Sequence, residues 1–412
     1  MYDFIKLGVM PTPILLPKAP NALDKWAVVA CDQFTSEPEY WQEVTQQVGD
    51  EPSTLNIIYP ECYLSEGDQR IDRIREAMQD YRSHVLGRVG TGFVLVERQT
   101  SCGNRLGLVM AVDLEKYDFS PDSKSPIRAT EQTIVERIPP RVKIRKGAPL
   151  ESPHIMLLVD DPNRSLIEPI YEAREQLQSL YDFDLMMRGG HIRGWLLDSH
   201  AQGKVQKALS DLYDKSGGLL FAVGDGNHSL ATARQCWLDM KNELTEQDRE
   251  EHPARYALCE VVNLHDPSLQ FEPIHRAIFG ADSAQLSHDM VMWCRKNGMS
   301  ISACDEDHAE MYLLDAPVCI QNSINPLPVA ILQPFLDEWL EAHPSASIDY
   351  IHGEQALETL TEQGACCIRL KAIDKGSLFE SVRKGGPLPR KTFSMGEAQD
   401  KRYYLECRSL VR

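Results

Sequence analysis

A short polar loop at residues 224–229 (GDGNHS) has residue types that can bind phosphate. It follows the apolar run 219–223 (LLFAV) and precedes a helical pattern that begins at Ser229. The backbone N–H groups and the dipole at such a helix start attract anions, and Gly224 and Gly226 allow close approach. Asp225 could coordinate Mg²⁺, and His228 could donate to a phosphoryl oxygen. The alternative is a capped turn in which the histidine is structural.

A second candidate for chemistry is the segment 128–133 (RATEQT), where a carboxylate lies among arginine and threonine side chains. Glu131 could accept a proton from a substrate hydroxyl, which is the task of a general base, with Arg128 in the same pocket. Spacing alone favours the alternative, in which Glu131 is an ordinary surface residue that caps a helix.

A basic turn at residues 389–394 (PRKTFS) combines two cations with two hydroxyl groups. Arg390 and Lys391 suit charge-assisted hydrogen bonds to phosphate, and Thr392 could add a hydroxyl. Taken alone, the same letters fit an exposed basic turn equally well.

Three further polar segments contain side chains that could line a pocket. These side chains are Asp32 in 31–35 (CDQFT), Arg188 and His191 in 188–193 (RGGHIR), and His275 and Arg276 in 272–276 (EPIHR). Ordinary polar turns are the favoured interpretation of such segments. The chain contains no nucleophile elbow, H-E-x-x-H motif or zinc-ligand spacing, and the 224–229 loop is neither a Walker A motif nor G-x-G-x-x-G.

The elements that would position these residues alternate between strands and helices, which predicts α/β or α+β packing. Apolar runs predict strands at 26–30, 92–97, 106–112, 154–159, 219–223, 255–262, 348–351 and 365–370. Periodic apolar residues predict helices at 71–85, 167–177, 204–214, 229–244, 332–340, 356–363 and 378–383. Residues 121–146 are rich in Pro, Arg and Lys, which fits either a solvated face or a local anion-binding region.

Composition limits the class of protein. The chain has 412 residues, 42% of them hydrophobic and 25% charged, which predicts a globular protein of two or three domains or of one large unit with several lobes. Its net charge of −18 disfavours nucleic acid and anionic membranes as partners, and no apolar run is long enough to cross a bilayer. The 11 cysteines are scattered, which predicts free and mostly buried thiols in a reducing compartment. Without a recognisable signal peptide, we expect a cytoplasmic protein.

Several stretches together resemble a known family. The run 225–231 (DGNHSLA) resembles the D-G-H-H-R signature of the bacterial family called domain-of-unknown-function 1015. Residues 28–41, 127–141 and 386–394 also match this family, so the resemblance extends over nearly the whole chain.

That family is in turn similar to the free serine kinase of the ParB and sulfiredoxin superfamily, which phosphorylates serine with ADP. Three stretches of the kinase have counterparts here in the same order. Its P-H-E segment with a catalytic glutamate resembles 129–131, its D-G-H-H-R loop resembles 225–229, and its P-K-T-T segment resembles 390–393. In this chain Thr130, Asn227 and Ser229 replace a histidine, a histidine and an arginine of those motifs. Ser229 cannot clamp a phosphate as arginine does; Arg188, Arg193, Arg234 or Arg390 could supply that charge.

The resemblance implies a mixed α/β fold with a ParB-like nucleotide-binding core and an added N-terminal lobe. We predict a lobe at 1–118, a core at 119–280 and a C-terminal part at 281–412. The implied function is a small-molecule phosphotransferase that uses ADP or ATP with Mg²⁺. Glu131 would be its base, Asp225 its metal ligand, and His228, Lys391 and the loop backbone, including Gly224, Gly226 and Asn227, its phosphate contacts. The alternative is a nucleotide-binding regulator without chemistry. Sulfiredoxin-like chemistry would need a cysteine in the loop, and the loop has none.

Overall fold

The computed structural model describes residues 4–19, 22–31, 34–35, 37–152, 154–323, 325 and 327–412. The strands in chain order are β1 (Val9–Met10), β2 (Thr12–Pro17), β3 (Leu86–Gly92), β4 (Val94–Thr100), β5 (Gly103–Asp113), β6 (Tyr117–Asp118), β7 (Ile127–Ala129), β8 (Leu150–Glu151), β9 (Met156–Val159), β10 (Gln178–Asp184), β11 (His191–Leu196), β12 (Phe221–Asp225), β13 (Tyr256–Asn263), β14 (Phe271–Phe279), β15 (Ser300–Ala303), β16 (Met311–Leu313), β17 (Ala316–Gln321), β18 (Ser347–His352), β19 (Cys366–Leu370), β20 (Phe393–Met395) and β21 (Arg408–Ser409).

The α-helices are α1 (Leu23–Trp26), α2 (Pro38–Val48), α3 (Gly67–Asp80), α4 (Ile138–Arg145), α5 (Glu168–Glu172), α6 (Ser199–Lys215), α7 (Asn227–Lys241), α8 (Glu246–Glu251), α9 (Ser283–Lys296), α10 (Val329–Ala342), α11 (Glu354–Glu362) and α12 (Lys375–Gly385). Helix α3 continues into a π-helical turn at Tyr81–Val85. Short 3₁₀ segments lie at Thr54–Asn56, Glu61–Glu66, Val135–Arg137, Arg174–Gln176, Pro253–Arg255 and Ala398–Asp400. None of the helices within these described ranges is both long and apolar enough to cross a membrane.

A large mixed sheet forms the centre of the molecule, in the order β10-β11-β4-β5-β13-β9-β12-β7-β6, with β1 paired to β5. Its middle strands β9, β12 and β13 are almost continuously apolar, as expected for strands that are buried on both faces. Strand β12 runs parallel to β7 and antiparallel to β9. This arrangement places the carboxyl ends of β7 and β12 and the amino end of β9 at one edge of the sheet.

Different elements cover the two faces of this sheet. Helices α4 to α7 pack on one face, around a core that includes Leu157 and Trp237. On the other face, helices α1 to α3 and the C-terminal residues cover one half, around Trp26 and Val96. Helices α9, α10 and α12 and the second sheet cover the other half, around Leu158. The second sheet has the order β15-β17-β16-β19-β14-β18, and its strand β14 also pairs with β20.

The mixed α/β architecture predicted from the sequence is confirmed. The helix predicted at 71–85 and the strands predicted at 106–112 and 255–262 correspond to α3 with its π turn, to β5 and to β13. The strand predicted at 26–30 is wrong. Trp26 ends helix α1, and Val28 forms only an isolated bridge with Tyr404. The run is apolar because it packs under the C-terminal residues: the Trp26 indole donates to the carbonyl of Leu405 at 2.8 Å.

The prediction that all cysteines are free is wrong for one pair. Cys304 and Cys319 form a disulfide, with their Cα atoms 6.0 Å apart. The reason is the antiparallel pairing of β15 and β17, which brings the residue after β15 next to β17. The other nine cysteines are free thiols.

The predicted boundary between residues 118 and 119 falls within the large sheet. Strand β5 lies before it and strand β13 after it, and the two strands pair from Gly107 to Asp113. The division of the chain into 1–118, 119–280 and 281–412 remains a prediction.

Candidate functional site

Glu131 and Asp225 lie at the same edge of the large sheet because of the register of two parallel strands. Ala129 of β7 pairs with Val223 of β12, and each acidic residue comes two positions later. The hydroxyl of Thr130 donates to the carbonyl of Val223 at 2.6 Å and fixes the two strand ends together. The structure therefore brings together two of the predicted site segments, although 94 positions of sequence separate them.

Residues 224–229 span the junction of β12 and helix α7, as the sequence predicts, but Gly226 alone lies between the two elements because the helix begins at Asn227. Gly226 has φ of 87° and caps the helix, and its N–H donates to Asp225 Oδ1 at 2.8 Å. A Cβ at Gly226 would lie 3.1 Å from the Cα of Ile155, so the position favours glycine in two ways. A Cβ at Gly224 would lie 2.9 Å from the terminal methyl of Met395, which shows how closely the C-terminal segment crosses the loop.

The carboxylate of Asp225 faces two residues that sequence reasoning missed. Lys401 Nζ lies 3.4 Å from Asp225 Oδ2, and His154, whose Nδ1 is hydrogen-bonded to the Tyr404 hydroxyl, is close enough to act on its charge. Burial alone would raise the pKa of Asp225, but Lys401 and His154 lower it below the ordinary value. Burial also lowers the pKa of His154, against the opposing effect of the Asp225 carboxylate. Asp225 is therefore a stable anion beside a cation.

The first turn of α7 contains the other three polar residues of the loop. His228 Nε2 accepts the N–H of Ile134 at 3.2 Å, so this nitrogen faces the segment that follows Glu131. Asn227 Oδ1 is buried and has no hydrogen-bond partner in the described part of the chain. Ser229 is partly buried in the same turn. A buried acceptor without a partner is costly unless a ligand or water supplies one.

The predicted basic turn at 389–392 packs directly on Glu131. Glu131 and Leu388 form a parallel bridge, and the N–H of Thr392 donates to Glu131 Oε1 at 3.1 Å. The N–H groups of Lys391 and Phe393 also act on this carboxylate, in the manner of a backbone nest. Burial raises the pKa of Glu131 to about 7, against the opposing effect of these N–H groups and of the Lys391 ammonium.

The three cationic residues of this region differ in exposure. Arg390 and Lys391 are exposed, and the Thr392 hydroxyl is turned inward, where it donates to the carbonyl of Pro389 at 2.5 Å. Arg276 of β14 is fully buried, and Glu131 and Arg390 both influence its charge. Arg276 therefore belongs to the same region as Glu131.

Four other predicted pocket residues lie elsewhere or have structural partners. Arg128 donates to the carbonyls of Ser125 and Gly218. His275 Nδ1 accepts the N–H of Leu370 at 3.1 Å inside the second sheet. Arg188 is exposed on the β10–β11 turn, and His191 bonds to Asp182 and Asp184 on that hairpin, each at 2.6 Å. Asp32 lies outside the described residues.

The residues that were missed have no local motif. The chain from 388 to 404 crosses the ends of β7, β12 and β9 in that order. Along this path it contacts Glu131, Gly224, Asp225 and His154 in turn, and so it brings Lys401 and Tyr404 to the site beside His154. The only sequence signal at Lys401 is a basic pair, KR, after an acidic residue.

Metal ligands are sparse at this edge. Among the described residues, no group of three or more His, Cys, Asp and Glu side chains could hold an ion. Asp225 supplies one carboxylate and Asn227 one unpartnered oxygen, which fits a Mg²⁺ held mainly by phosphate oxygens and water. A surface cavity of about 720 Å³ lies elsewhere, between α2 and the segment around Tyr63.

Comparison with known proteins identifies the family over most of the chain. The family described as protein of unknown function (DUF1015) matches residues 15–337. The chain belongs to this family. The match includes Glu131 and the 224–229 loop and ends before the 389–392 turn.

Solved structures give a weaker likeness. A mutant of free serine kinase in complex with AMP is 11% identical, with a TM-score of 0.41 over 72% of this chain and 90% of that chain. A mutant of the same kinase in complex with ADP is 11% identical, with a TM-score of 0.40 over 72% and 91%. A conserved hypothetical protein from Pyrococcus furiosus is 12% identical, with a TM-score of 0.35 over 70% and 90%. No curated protein matches the chain.

Proposed function

We propose that this member of the family is a small-molecule phosphotransferase that moves a phosphoryl group from ADP or ATP to a hydroxyl of serine or a related metabolite. The observation that carries the proposal is the meeting of two kinds of group at one sheet edge. Glu131 is a carboxylate with a pKa of about 7. At the start of helix α7, the Lys401 ammonium lies beside the Asp225 carboxylate. The first suits proton transfer and the second suits phosphate.

On the acceptor side, Glu131 takes the proton of the attacking hydroxyl. A base works best when its pKa lies near the operating pH, and burial raises the pKa of Glu131 to about 7. The β7–β12 register and the N–H of Thr392 hold the carboxylate in place, so little reorganisation is needed before attack.

On the donor side, the phosphates lie at the start of α7. The N–H groups of its first turn and the Lys401 ammonium stabilise negative charge on the transferring group. Asp225 would hold Mg²⁺, which when bound neutralises charge on the phosphate oxygens. Arg390 and Lys391 are exposed on the turn that borders Glu131 and add positive potential in an acidic protein.

The second candidate function is a nucleotide-binding regulator without chemistry. It is favoured by the contacts of two groups proposed for catalysis, because both already accept hydrogen bonds from the backbone. The Glu131 carboxylate accepts the Thr392 N–H, and His228 Nε2 accepts the Ile134 N–H. In either case we propose a cytoplasmic protein whose partners are a nucleotide and a small metabolite, with no nucleic acid or membrane partner.

The direct test is a transfer assay with ADP or ATP, Mg²⁺ and a panel of serine and related hydroxyl compounds, read by phosphorus NMR. We expect the wild type to form a phosphate ester and Glu131→Gln to lose transfer while it keeps nucleotide affinity within a few fold. Glu136→Gln, a change at an exposed neighbour, should turn over like the wild type. Equal turnover by Glu131→Gln would refute the role of Glu131, and nucleotide binding without transfer over the whole panel would favour the regulator.

A further inference from the structure

Arg276 of β14 is a buried cation that forms no ion pair with a carboxylate of the described residues. Its side chain is fully buried, and the carboxylates of Glu131 and Asp337 act on its charge without forming an ion pair with it. Its Nε donates to Gln333 Oε1 at 3.1 Å and its Nη1 to the carbonyl of Ile274. Its Nη2 is buried and has no hydrogen-bond partner among the described residues. Proteins rarely bury a charged donor in this way unless a bound group accepts its hydrogen bond.

Surrounding side chains fix the plane of this guanidinium. It lies 4.9 Å from the centre of the Tyr350 ring, and Gln333 is itself held by hydrogen bonds from its Nε2 to Asp337 Oδ1 at 2.9 Å and to the Tyr350 hydroxyl at 3.3 Å. Gln333 therefore presents its oxygen, and not its amide nitrogen, to the arginine. Such a group is prearranged to receive an oxyanion.

The guanidinium is folded back toward the part of β14 that pairs with the segment next to Glu131. Its bond to the carbonyl of Ile274 folds the side chain back along β14, toward Pro273. Pro273 pairs with Phe393, and the preceding residue, Thr392, donates its N–H to Glu131. The positive charge of Arg276 is in turn favoured by Tyr350 and Glu131, although burial lowers its pKa to about 10.

We propose that Arg276 Nη2 binds a carboxylate of the phosphoryl acceptor, so that the substrate class is a small hydroxy acid. This rests on the proposed function, because it takes Glu131 as the base that receives the hydroxyl proton of the same molecule. A carboxylate is assigned to Arg276, and not a nucleotide phosphate, because Arg276 lies on the Glu131 side of the site. The phosphate-binding groups, Lys401 and the start of α7, lie at Asp225.

The test uses titration calorimetry to measure the binding of two acids, L-serine and glycerate. Ethanolamine and ethylene glycol are their respective counterparts without the carboxylate, and ADP binding is measured in parallel. We expect the wild type to bind at least one of the two acids at least 30-fold more tightly than its counterpart. Arg276→Met should remove that preference and leave the Kd for ADP within about threefold. Arg369→Met is the matched control, because Arg369 also stacks on a tyrosine, Tyr312, but is paired with Glu354.

Thermal unfolding of the same variants separates a ligand-binding role from a structural one. If Arg276 has a ligand-binding role, Arg276→Met without ligand should have a melting temperature equal to or above that of the wild type. The reason is that an apolar side chain of similar size replaces a buried charge that forms no ion pair. Acid binding that depends on Arg276 without any phosphoryl transfer would support the carboxylate site at Arg276 and refute the proposed function. The inference is overturned if neither acid binds the wild type, if Arg276→Met keeps the preference, or if it loses ADP and keeps the acids.

Discussion

At the residue scale, the state of the Glu131 carboxyl determines what the site can do. Burial raises its pKa to about 7, so the folded protein holds a proton there more tightly than the unfolded chain. Its contribution to the free energy of unfolding is therefore fully present at low pH. This contribution is lost as the pH rises from the unfolded pKa, near 4.3, to about 7.

This linkage predicts a pH-dependent effect of Glu131→Gln. We expect the variant to gain about 2 kcal/mol of stability relative to the wild type between pH 5 and pH 8, because the wild type must ionise a partly buried carboxyl over that range. Urea unfolding at the two pH values measures the difference. Glu136→Gln should show no such change, and an equal effect of Glu131→Gln at both pH values would contradict the raised pKa.

A second prediction concerns Lys401, which lies beside Asp225. Lys401→Met should weaken nucleotide affinity about tenfold, equivalent to about 1.4 kcal/mol, because it removes a phosphate-binding cation and raises the pKa of Asp225. Lys384→Met removes an exposed pair with Glu380 and is the control. Titration calorimetry would contradict the placement of the phosphates if both variants bound like the wild type.

At the scale of elements, local patterns identified the strand and helix on either side of the 224–229 loop. An apolar run followed by glycine-rich polar residues and a periodic stretch is a local signal, and β12 and α7 match it. The same reasoning failed at 26–30, where a short apolar run reflects tertiary burial and not strand pairing. It could not find Lys401 or His154, because their positions near Asp225 depend on how distant segments cross.

The loop itself gives a prediction at this scale. Gly226→Ala should cost about 1 kcal/mol more than Gly298→Ala, since both positions have positive φ but only Gly226 has a neighbour, Ile155, within contact range of a new Cβ. Chemical unfolding compares the two variants. Equal losses of unfolding free energy in the two variants would mean that the close approach of the loop to Ile155 does not affect stability.

At the scale of the whole molecule, the C-terminal residues join the parts of the structure that form the site. Arg402 is buried between Glu260 of the large sheet, at 2.7 Å, and Glu406. Arg408 pairs with Glu151, and the carbonyl of Leu405 accepts the Trp26 indole. These bonds hold Lys401 over the loop, so site geometry and global stability are coupled.

Arg402→Met should therefore destabilise the protein by about 3 to 5 kcal/mol, because it leaves two buried carboxylates without their cation. Arg412→Met removes an exposed pair with Asp248 and should have little effect on stability. Urea unfolding measures both. A small loss for Arg402→Met would show that the C-terminal residues are not a structural anchor.

The central claim is that the sheet edge at Glu131 and Asp225 binds a nucleotide, and titration calorimetry with ADP and ATP, each with and without Mg²⁺, tests it most directly. We predict saturable binding of at least one nucleotide that Mg²⁺ strengthens, together with about 2.7 kcal/mol of added stability at 100 times the Kd. No heat and no thermal shift with either nucleotide would contradict both the phosphotransferase and the regulator.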